Sequence, residues 1–394
     1  MHILIINAGS SSIKFQLILM PSEKVICSGM VERIGSNNSV LTYKSDKTNI
    51  KETKSILTHK NGLQNIVDIL LDKTVGAIKN TNQIAAVGHR VVHGGKYFVG
   101  TTLITNEVKE KINELAPLAP LHNPHNLEGI LIAEELFSEA KQIAIFDTAF
   151  HRTIPEIASK YAIPSTFYDK HGLQLYGFHG TSHKYVSEKA ISYLNKDDSK
   201  IISIHLGNGC SATAIVEGKS IDHSLGFAPA NGLIMGSRSG DIDHSIIFYL
   251  VNKLGYNLDD VNKLLTKESG MLGLTGYNDL RDIQLEAEKG NIECILALEM
   301  NAYRIKKYIG AYTAAMNGLD AIIFTAGIGE NSQVLRKLVC SDMDYLDIRL
   351  DDKKNKIISN SLREINVNDS KIKILVIPTN EELEIAIQVF EKLS

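Results

Sequence analysis

The 394-residue sequence lacks the features that would place it in a membrane or in an oxidising compartment. No apolar run reaches the roughly 18 residues that a membrane-spanning helix needs, and no positive segment precedes the first apolar run. The four cysteines, Cys27, Cys210, Cys294 and Cys340, show no CxxC spacing, which disfavours a disulfide framework and a zinc ribbon. We therefore expect a cytoplasmic protein that does not use a membrane.

An excess of charge of one sign is also lacking. The 42 Lys and Arg residues nearly balance 45 Asp and Glu residues, and the formal net charge is −3. With no long basic block, the sequence gives no support for nucleic acid as a partner. Hydrophobic residues make up 44% and charged residues 22%, which is typical of globular proteins, and the length suggests two or three domains.

The pattern of apolar residues predicts an α/β fold. Apolar runs that end in Gly, Asp or Thr indicate buried strands that deliver loops at their ends. The 3.6-residue period predicts helices over residues 126–140, over residues 182–195 with Ser182 as N-cap, over residues 300–318, and at the C-terminus. The predicted strands are residues 3–6, 25–34, 85–95, 142–148, 200–209, 212–218, 321–329 and 373–379.

Two segments about 200 residues apart follow one plan, an apolar strand, a turn rich in small residues, and a second apolar strand. They are LIINAGSSSIKFQLI at residues 4–18 and SIHLGNGCSATAIVEG at residues 203–218. The echo suggests two similar domains that face each other across a cleft. A third glycine-rich segment, TAGIGENS at residues 325–332, would let a ligand approach its backbone. Neither a Walker A loop nor a GxGxxG fingerprint is present.

Several residues fit phosphoryl transfer, although each also has a structural interpretation. NAGSSSIKF is either a surface hairpin or a phosphate cradle charged by Lys14. Among only nine arginines, Arg90 and Arg238 lie beside glycines, where they could form surface ion pairs or bind carboxylate and phosphoryl oxygens. His179 is the histidine that we place in a site. Asp147 lies at the end of a predicted strand. There it could act as a base, position a metal ion, or cap the next turn.

The motifs resemble the acetate kinase family over nearly the whole chain, from residue 4 to about residue 388. The matching segments are NAGSSSIKF, GHRVVHGG, LAPLHNPHN, FDTAFH, YGFHGTSH, HLGNGCS, GLIMGSRSGDID, SGMLGLTG followed by DLRDI, TAGIGENS and IPTNEELEIA. The resemblance implies a duplicated actin-like (ribonuclease H-like) ATPase fold with two domains around a nucleotide cleft, and a homodimer. The implied domains are residues 1–150 with about 382–394, and residues 151–381.

The resemblance also implies a reaction, the Mg²⁺-dependent reversible transfer of the ATP γ-phosphoryl group to acetate, with Mn²⁺ able to replace Mg²⁺. We predict that the transfer is direct and in line, without a phosphoenzyme. The implied catalytic residues are Asp147, His179, Arg238 and Arg90, and the implied metal ligands are Asn7 and Glu381. Acetate would contact Arg90, Val92, Leu121, Phe178 and Pro229. The nucleotide would contact Lys14, His205, Leu206, Gly207, Asn208, Gly209, Asp279, Leu280, Arg281, Gly327, Ile328, Gly329, Glu330 and Asn331.

The chain departs from the family pattern at the rim of the implied acyl pocket. It has DHSLGFAPANGL at residues 222–233 where the family usually has DTSMGFTPLEGL, and His244 replaces a proline. Since one methylene is worth only about 1–3 kcal/mol, such changes could admit propionate. Two other functions stay open from the residues alone. One is an ATP-driven conformational switch, and the other is a metal-dependent hydrolase that uses the clustered histidines, such as His179 and His183.

Overall fold

The computed structural model describes residues 1–394, which form two compact units. Unit 1 comprises Met1–Ala149 and Asn380–Ser394, and unit 2 comprises Phe150–Thr379. The expected division ended the C-terminal domain at residue 381, whereas Glu381 lies in unit 1. No helix combines the length and the apolar character needed to cross a bilayer.

Unit 1 begins with eight strands and three α-helices. They are β1 (His2–Ala8), β2 (Ser12–Leu19), β3 (Lys24–Glu32), β4 (Ser36–Ser45), β5 (Asn49–Ile56), α1 (His59–Leu70), β6 (Ile84–Val91), β7 (Thr102–Leu103), α2 (Asn106–Glu114), α3 (Asn123–Leu136) and β8 (Lys141–Phe146).

Unit 2 adds six strands and eleven α-helices, after which the chain returns to unit 1 with one more helix. The elements of unit 2 are α4 (Glu156–Ser159), α5 (Ser165–His171), α6 (Gly180–Leu194), β9 (Lys200–Leu206), β10 (Cys210–Val216), β11 (Lys219–His223), α7 (Ser245–Asn252), α8 (Leu258–Lys267), α9 (Gly270–Thr275), α10 (Leu280–Glu288), α11 (Ile292–Ala315), β12 (Ala321–Thr325), α12 (Ala326–Asn331), α13 (Gln333–Cys340), α14 (Asp352–Asn355), β13 (Arg363–Glu364) and β14 (Lys373–Val376). The returning helix is α15 (Glu381–Leu393).

The two sheets repeat one topology, which confirms the predicted duplicated α/β fold. The sheet of unit 1 contains the order β3-β2-β1-β6-β8, and that of unit 2 contains β11-β10-β9-β12-β14. In unit 1, β1 pairs antiparallel with β2 and parallel with β6, and in unit 2, β9 pairs antiparallel with β10 and parallel with β12. The first two strands of each sheet are the two echoing segments of the sequence. Each central strand is buried along nearly all its length, as a sheet covered on both faces requires.

Three predicted helices differ from the observed ones. The first is α3, which begins three residues earlier than predicted. The third begins eight residues earlier, at α11. Ser182 lies inside the first turn of α6, because His179 takes the N-cap position with a left-handed backbone. The Ser182 hydroxyl instead bonds to His205 and Thr379.

Buried histidines make the stability of the fold dependent on pH. Burial lowers the pKa of His89 and His93 to about 4, and that of His151 to about 3. Burial also lowers the pKa of His183 and His223 well below the usual value of 6.5, and neighbouring histidines add to this effect. These rings are neutral in the folded protein at pH values where the unfolded chain binds protons.

We therefore expect the free energy of unfolding to be highest above pH 6.5 and to fall as the pH decreases toward 4. Each such histidine contributes a slope of about 1.4 kcal/mol per pH unit in that window. Thermal unfolding between pH 7.5 and pH 4.5 measures the slope. His93→Gln should reduce the slope by the share of one histidine, about 1.4 kcal/mol per pH unit. His244→Gln, on an exposed side chain, should leave the slope unchanged. Stability that stays constant from pH 7 to pH 5 would contradict this account.

Candidate functional site

An arginine and two carboxylates form the charged centre of unit 1. The Arg90 guanidinium donates from Nε and Nη2 to the Asp147 carboxylate at 2.8–3.1 Å. Its Nη1 lies 3.1 Å from the Glu381 Oε2. The Asp147 side chain is 3% exposed, while those of Arg90 and Glu381 are 19% exposed. Such a planar, preorganised fork suits a carboxylate or a phosphoryl group.

The strand order of unit 1 explains why these groups meet. Arg90 lies near the carboxyl end of β6, and Asp147 follows the end of the neighbouring parallel strand β8. The loop after β6 is fixed by Asn123 and Asn126 of α3, which bond to the backbone of His93 and to the Val92 amide. Side chains at the carboxyl ends of parallel strands converge at one edge of a sheet, and the charged centre lies at that edge.

Burial and charge act in opposite directions on this pair. Burial raises the pKa of Asp147, and the Arg90 guanidinium opposes that rise. Burial lowers the pKa of Arg90, but Asp147 and Glu381 outweigh burial and leave the pKa of Arg90 above its ordinary value. Arg90 is therefore a permanent cation in a site from which water is largely excluded.

The first glycine-serine loop lies in the same unit. Lys14 pairs across the hairpin with Asn7, and its Nζ lies 3.0 Å from Glu382 Oε1. Glu381 and Glu382 are the first two residues of α15, where acidic side chains are favoured by the helix dipole. The donors of Asn7, Glu381, Glu382 and Asp147 are amide and carboxylate oxygens, and these are the ligands that Mg²⁺ prefers. The residues present therefore fit a magnesium ion.

A histidine and an arginine meet the second loop in unit 2. His179 has a φ of 57°, which is uncommon for a residue with a side chain and frequent at functional sites. Its ring stacks on His205 with 4.4 Å between centroids, and its Nδ1 lies 2.9 Å from the Ser211 hydroxyl. A Cβ built on Gly209 would lie 3.3 Å from the His179 ring and 4.0 Å from Arg238 Nη1. Gly209 therefore lies in close contact with the His179 ring and within van der Waals reach of Arg238.

Residues 222–233, the segment that departs from the family pattern, fold back on themselves within unit 2. Arg238 Nη1 donates to the Pro229 carbonyl at 2.6 Å, and the Asn231 side chain accepts from the Gly226 amide at 2.9 Å. The Phe227 amide donates to the Tyr161 hydroxyl at 2.8 Å. Asn231, one of the departures from the family pattern, thus closes a turn in this segment.

A cavity of about 600 Å³ lies in unit 2. It is bordered by the loop after β9, the start of α10 and the start of α12. Asp279 caps α10 by accepting from the Arg281 amide, and the Arg281 guanidinium returns to the same carboxylate. The predicted nucleotide residues that line it are Leu206, Gly207, Asn208, Asp279, Leu280, Arg281, Gly327, Ile328 and Asn331.

Four predicted nucleotide residues of unit 2 do not line this cavity, namely His205, Gly209, Gly329 and Glu330. Gly329 packs closely on β12, since a Cβ there would lie 3.3 Å from the Phe324 carbonyl carbon. The Glu330 carboxylate accepts from the Thr379 amide at 3.0 Å. Nucleotide contact at these four residues stays a prediction.

The predicted acyl-contact residues have different exposures. In unit 1, Val92 is half-buried and Leu121 is 56% exposed. In unit 2, Phe178 is 2% exposed and Pro229 is half-buried. His179 and His183, which have metal-ligand spacing in the sequence, both bond to the hydroxyl of Ser211.

Sequence reasoning missed the apolar wall of the cavity. Ile234, Met235 and Met271 line it, together with the buried amide of Asn301. Their side chains resemble ordinary core residues in the sequence, and only the segment GLIMGSR carried a signal. A partly apolar cavity with amides and charges at its edge is typical of sites for small organic ligands.

The duplicated α/β fold is typical of phosphotransferases of the actin-like class. The chain belongs to the Acetokinase family, which matches residues 2–387. It is 63% identical to a protein named acetate kinase from Flavobacterium johnsoniae over the full length of both chains. The crystal structure of Porphyromonas gingivalis acetate kinase superposes with a TM-score of 0.94 at 42% identity, covering both chains completely. A propionate kinase from Francisella tularensis superposes with a TM-score of 0.93 at 43% identity, covering 98% of each chain.

Proposed function

We propose that this protein is an acetate kinase, which transfers the γ-phosphoryl group of ATP reversibly to acetate and produces acetyl phosphate and ADP. The observation that carries the proposal is the family match across residues 2–387. The geometry supports it, since unit 1 offers a preorganised guanidinium for a carboxylate and unit 2 offers a cavity for a nucleotide.

We assign the acetate carboxylate to Arg90. Its guanidinium is held by Asp147 and Glu381, so little side-chain entropy is lost on binding. Acetate is ionised at neutral pH and needs no general base, so we assign Asp147 a positioning role toward Arg90 and toward the metal ion.

In unit 2, we assign the nucleotide to the cavity and the transferring group to His179 and Arg238. These two side chains flank Gly209, and the preceding loop residues Gly207 and Asn208 line the cavity. An arginine and an imidazole at this place can stabilise charge on the equatorial oxygens of the phosphoryl group.

Asn7 and Glu381 are the residues that we assign to Mg²⁺, and Lys14 lies on the same hairpin. When bound, the ion neutralises charge on the β- and γ-phosphates. In the transfer step, a carboxylate oxygen forms a bond to the γ-phosphorus. The bond from that phosphorus to the β–γ bridging oxygen breaks, and ADP leaves with the electron pair. Retention of configuration at phosphorus would contradict this direct in-line step.

Acyl phosphate trapped as its hydroxamate tests the proposal, with ATP, Mg²⁺ and acetate, propionate or butyrate. We expect acetate to be the best substrate. Acyl phosphate formed faster from propionate would show that the altered rim selects a different acid. ATP hydrolysis without acyl phosphate from any acid would overturn the kinase proposal in favour of an ATP-driven switch.

The chain-length preference gives a specific prediction for Val92, which follows Arg90 by two residues. Val92→Ala should raise the ratio of kcat/KM for butyrate over acetate by about tenfold, since room for a methylene is worth about 1–3 kcal/mol. Leu131→Ala, an exposed position on α3, is the control and should leave the ratio unchanged. An unchanged ratio in Val92→Ala would show that Val92 does not limit the acyl chain.

We also propose that the protein works as a homodimer in the cytoplasm. All four cysteines are free and buried, which suits a reducing compartment. Sedimentation velocity at micromolar concentration tests the dimer, and a monomer at all concentrations would overturn it.

A further inference from the structure

Three potential metal ligands lie together in unit 1. They are His59, the first residue of α1, and His125 and Glu128, one turn apart on α3. Glu128 Oε2 lies 3.4 Å from His59 Nδ1 and 3.7 Å from His125 Nδ1. The three ligand atoms lie within 4.8 Å of one another, and the two rings stack with 5.4 Å between centroids. The phosphoryl-transfer chemistry uses none of these side chains.

The hydrogen bond of His59 fixes its tautomer. Its Nε2 lies 2.7 Å from the Gly9 carbonyl oxygen, which can only accept, so Nε2 carries a proton. The other nitrogen, Nδ1, faces the Glu128 carboxylate at 3.4 Å, so a cation shared by the two, a proton or a metal ion that displaces it, binds between them. The His59 side chain is only 8% exposed, so bulk water screens this contact weakly.

The two ligand separations from Glu128 fit a tetrahedral metal ion. Metal–ligand distances of about 2.0–2.1 Å place neighbouring ligand atoms about 3.3–3.4 Å apart. The observed separations from Glu128 Oε2 are 3.4 and 3.7 Å. Metal-binding histidines usually donate their other ring N–H to a carboxylate or a backbone carbonyl, as His59 donates to Gly9.

We propose that His59, His125 and Glu128 bind a divalent transition-metal ion of the zinc class, with water as the fourth ligand. Two imidazoles and one carboxylate favour Zn²⁺ or Co²⁺ over Mg²⁺, which prefers oxygen ligands. The side chains of His125 and Glu128 are 33% and 46% exposed, so the ion can enter from solvent.

This site is connected to the first glycine-serine loop. His59 holds the Gly9 carbonyl from α1, and Asn126 holds the preceding Ala8 carbonyl from α3 at 2.7 Å. A bound ion would join α1 to α3 and fix the His59 ring beside the loop. His59 is therefore a positioning residue for that loop as well as a metal ligand.

Titration of chelator-treated protein with Co²⁺, in the presence of millimolar Mg²⁺, tests the proposal through the visible d–d absorption of tetrahedral Co²⁺. We expect saturation at one equivalent, displacement by Zn²⁺, and a higher Tm with Zn²⁺. His125→Gln and Glu128→Gln should each weaken binding at least about tenfold. Both side chains are partly exposed, so these variants should fold, which circular dichroism checks.

The matched controls are Glu135→Gln, on an exposed carboxylate of the same helix, and His244→Gln, on an exposed imidazole of unit 2. Both should bind Co²⁺ as tightly as the unchanged protein. Because all four cysteines are buried, thiol ligation does not compete. Absence of saturable binding, or binding that is equally tight in His125→Gln and Glu128→Gln, would overturn the proposal.

Discussion

Replacing Arg90 with alanine should lower kcat/KM for acetate about 10³-fold, while the affinity for ADP changes less than about twofold. Removing one member of a buried, hydrogen-bonded charge pair costs about 2–5 kcal/mol, and about 4 kcal/mol corresponds to a factor of about 10³. The variant loses the donor for the substrate carboxylate and also leaves Asp147 and Glu381 without their shared cation. The cavity that we assign to ADP lies in unit 2 and contains no atom of Arg90.

The hydroxamate assay measures kcat and KM for acetate, and isothermal titration calorimetry measures ADP affinity. Arg90→Lys is the informative companion, because a lysine retains the charge but cannot form the bidentate pair with Asp147. We expect kcat/KM of Arg90→Lys for acetate to lie between the values of Arg90→Ala and the unchanged protein. Most of the decrease should come from a higher KM. Arg349→Ala is the control, since that arginine pairs with two carboxylates at the surface. If Arg90→Ala retains the KM for acetate, Arg90 does not bind the substrate carboxylate.

Arg90→Ala should also change the pH dependence of stability, and this separates a folding defect from a binding defect. Without its cation, the buried Asp147 carboxylate is easier to protonate in the folded state than in the unfolded chain. A raised folded-state pKa means that stability is full below the unfolded pKa and falls as the pH rises through the folded pKa. The kinetic comparison should therefore be made at the pH where both proteins are fully folded.

The fold could be predicted from the sequence largely because its strands are continuous apolar runs. The two hairpins β1–β2 and β9–β10 repeat one pattern of apolar strand and small-residue turn, and both form as predicted. Helix ends were harder to predict, as Ser182 illustrates. Its sequence context is typical of an N-cap, but the left-handed backbone of His179 starts α6 earlier and turns the serine toward His205.

Residues of the candidate site could be predicted only where a charged or reactive side chain lies beside a glycine in the sequence. Arg90 and Arg238 stand out because they lie beside glycines. Ile234 and Met271 of the cavity wall do not, because an apolar residue looks the same whether it faces a ligand or the core. The ligand atoms of His59 and His125 come within reach of one carboxylate only through the packing of α1 against α3, which no local pattern encodes.

Arg336 should be the arginine whose loss most destabilises unit 2, although its sequence context, LRKLV, is typical of a surface charge. The side chain is 2% exposed and has only neutral acceptors. It donates to the Gly329 and Glu330 carbonyls near the end of α12, and to the side chain and carbonyl of Asn355 in α14. Burial lowers the pKa of Arg336 to about 10, and nearby Arg363 adds to the effect.

Arg336→Met should therefore lower the free energy of unfolding by about 4 kcal/mol, because each buried acceptor left without a donor costs about 1–3 kcal/mol. For a unit of this size we expect Tm to fall by about 10 °C. Thermal unfolding measures the change, with Arg349→Met as the control, whose partly exposed ion pairs are worth less than about 1 kcal/mol.

The same variant should weaken ADP binding, because Arg336 holds the carboxyl end of α12 while Gly327 and Ile328 at its start line the cavity. We expect the loss of ADP affinity to persist at temperatures where Arg336→Met is fully folded, since releasing the carbonyls of α12 frees the helix without unfolding the unit. Arg336→Lys should recover part of the stability, because an ammonium group can satisfy some of the four acceptors. A methionine variant within about 1 kcal/mol of the unchanged protein would mean that water replaces the guanidinium and that α12 does not depend on it.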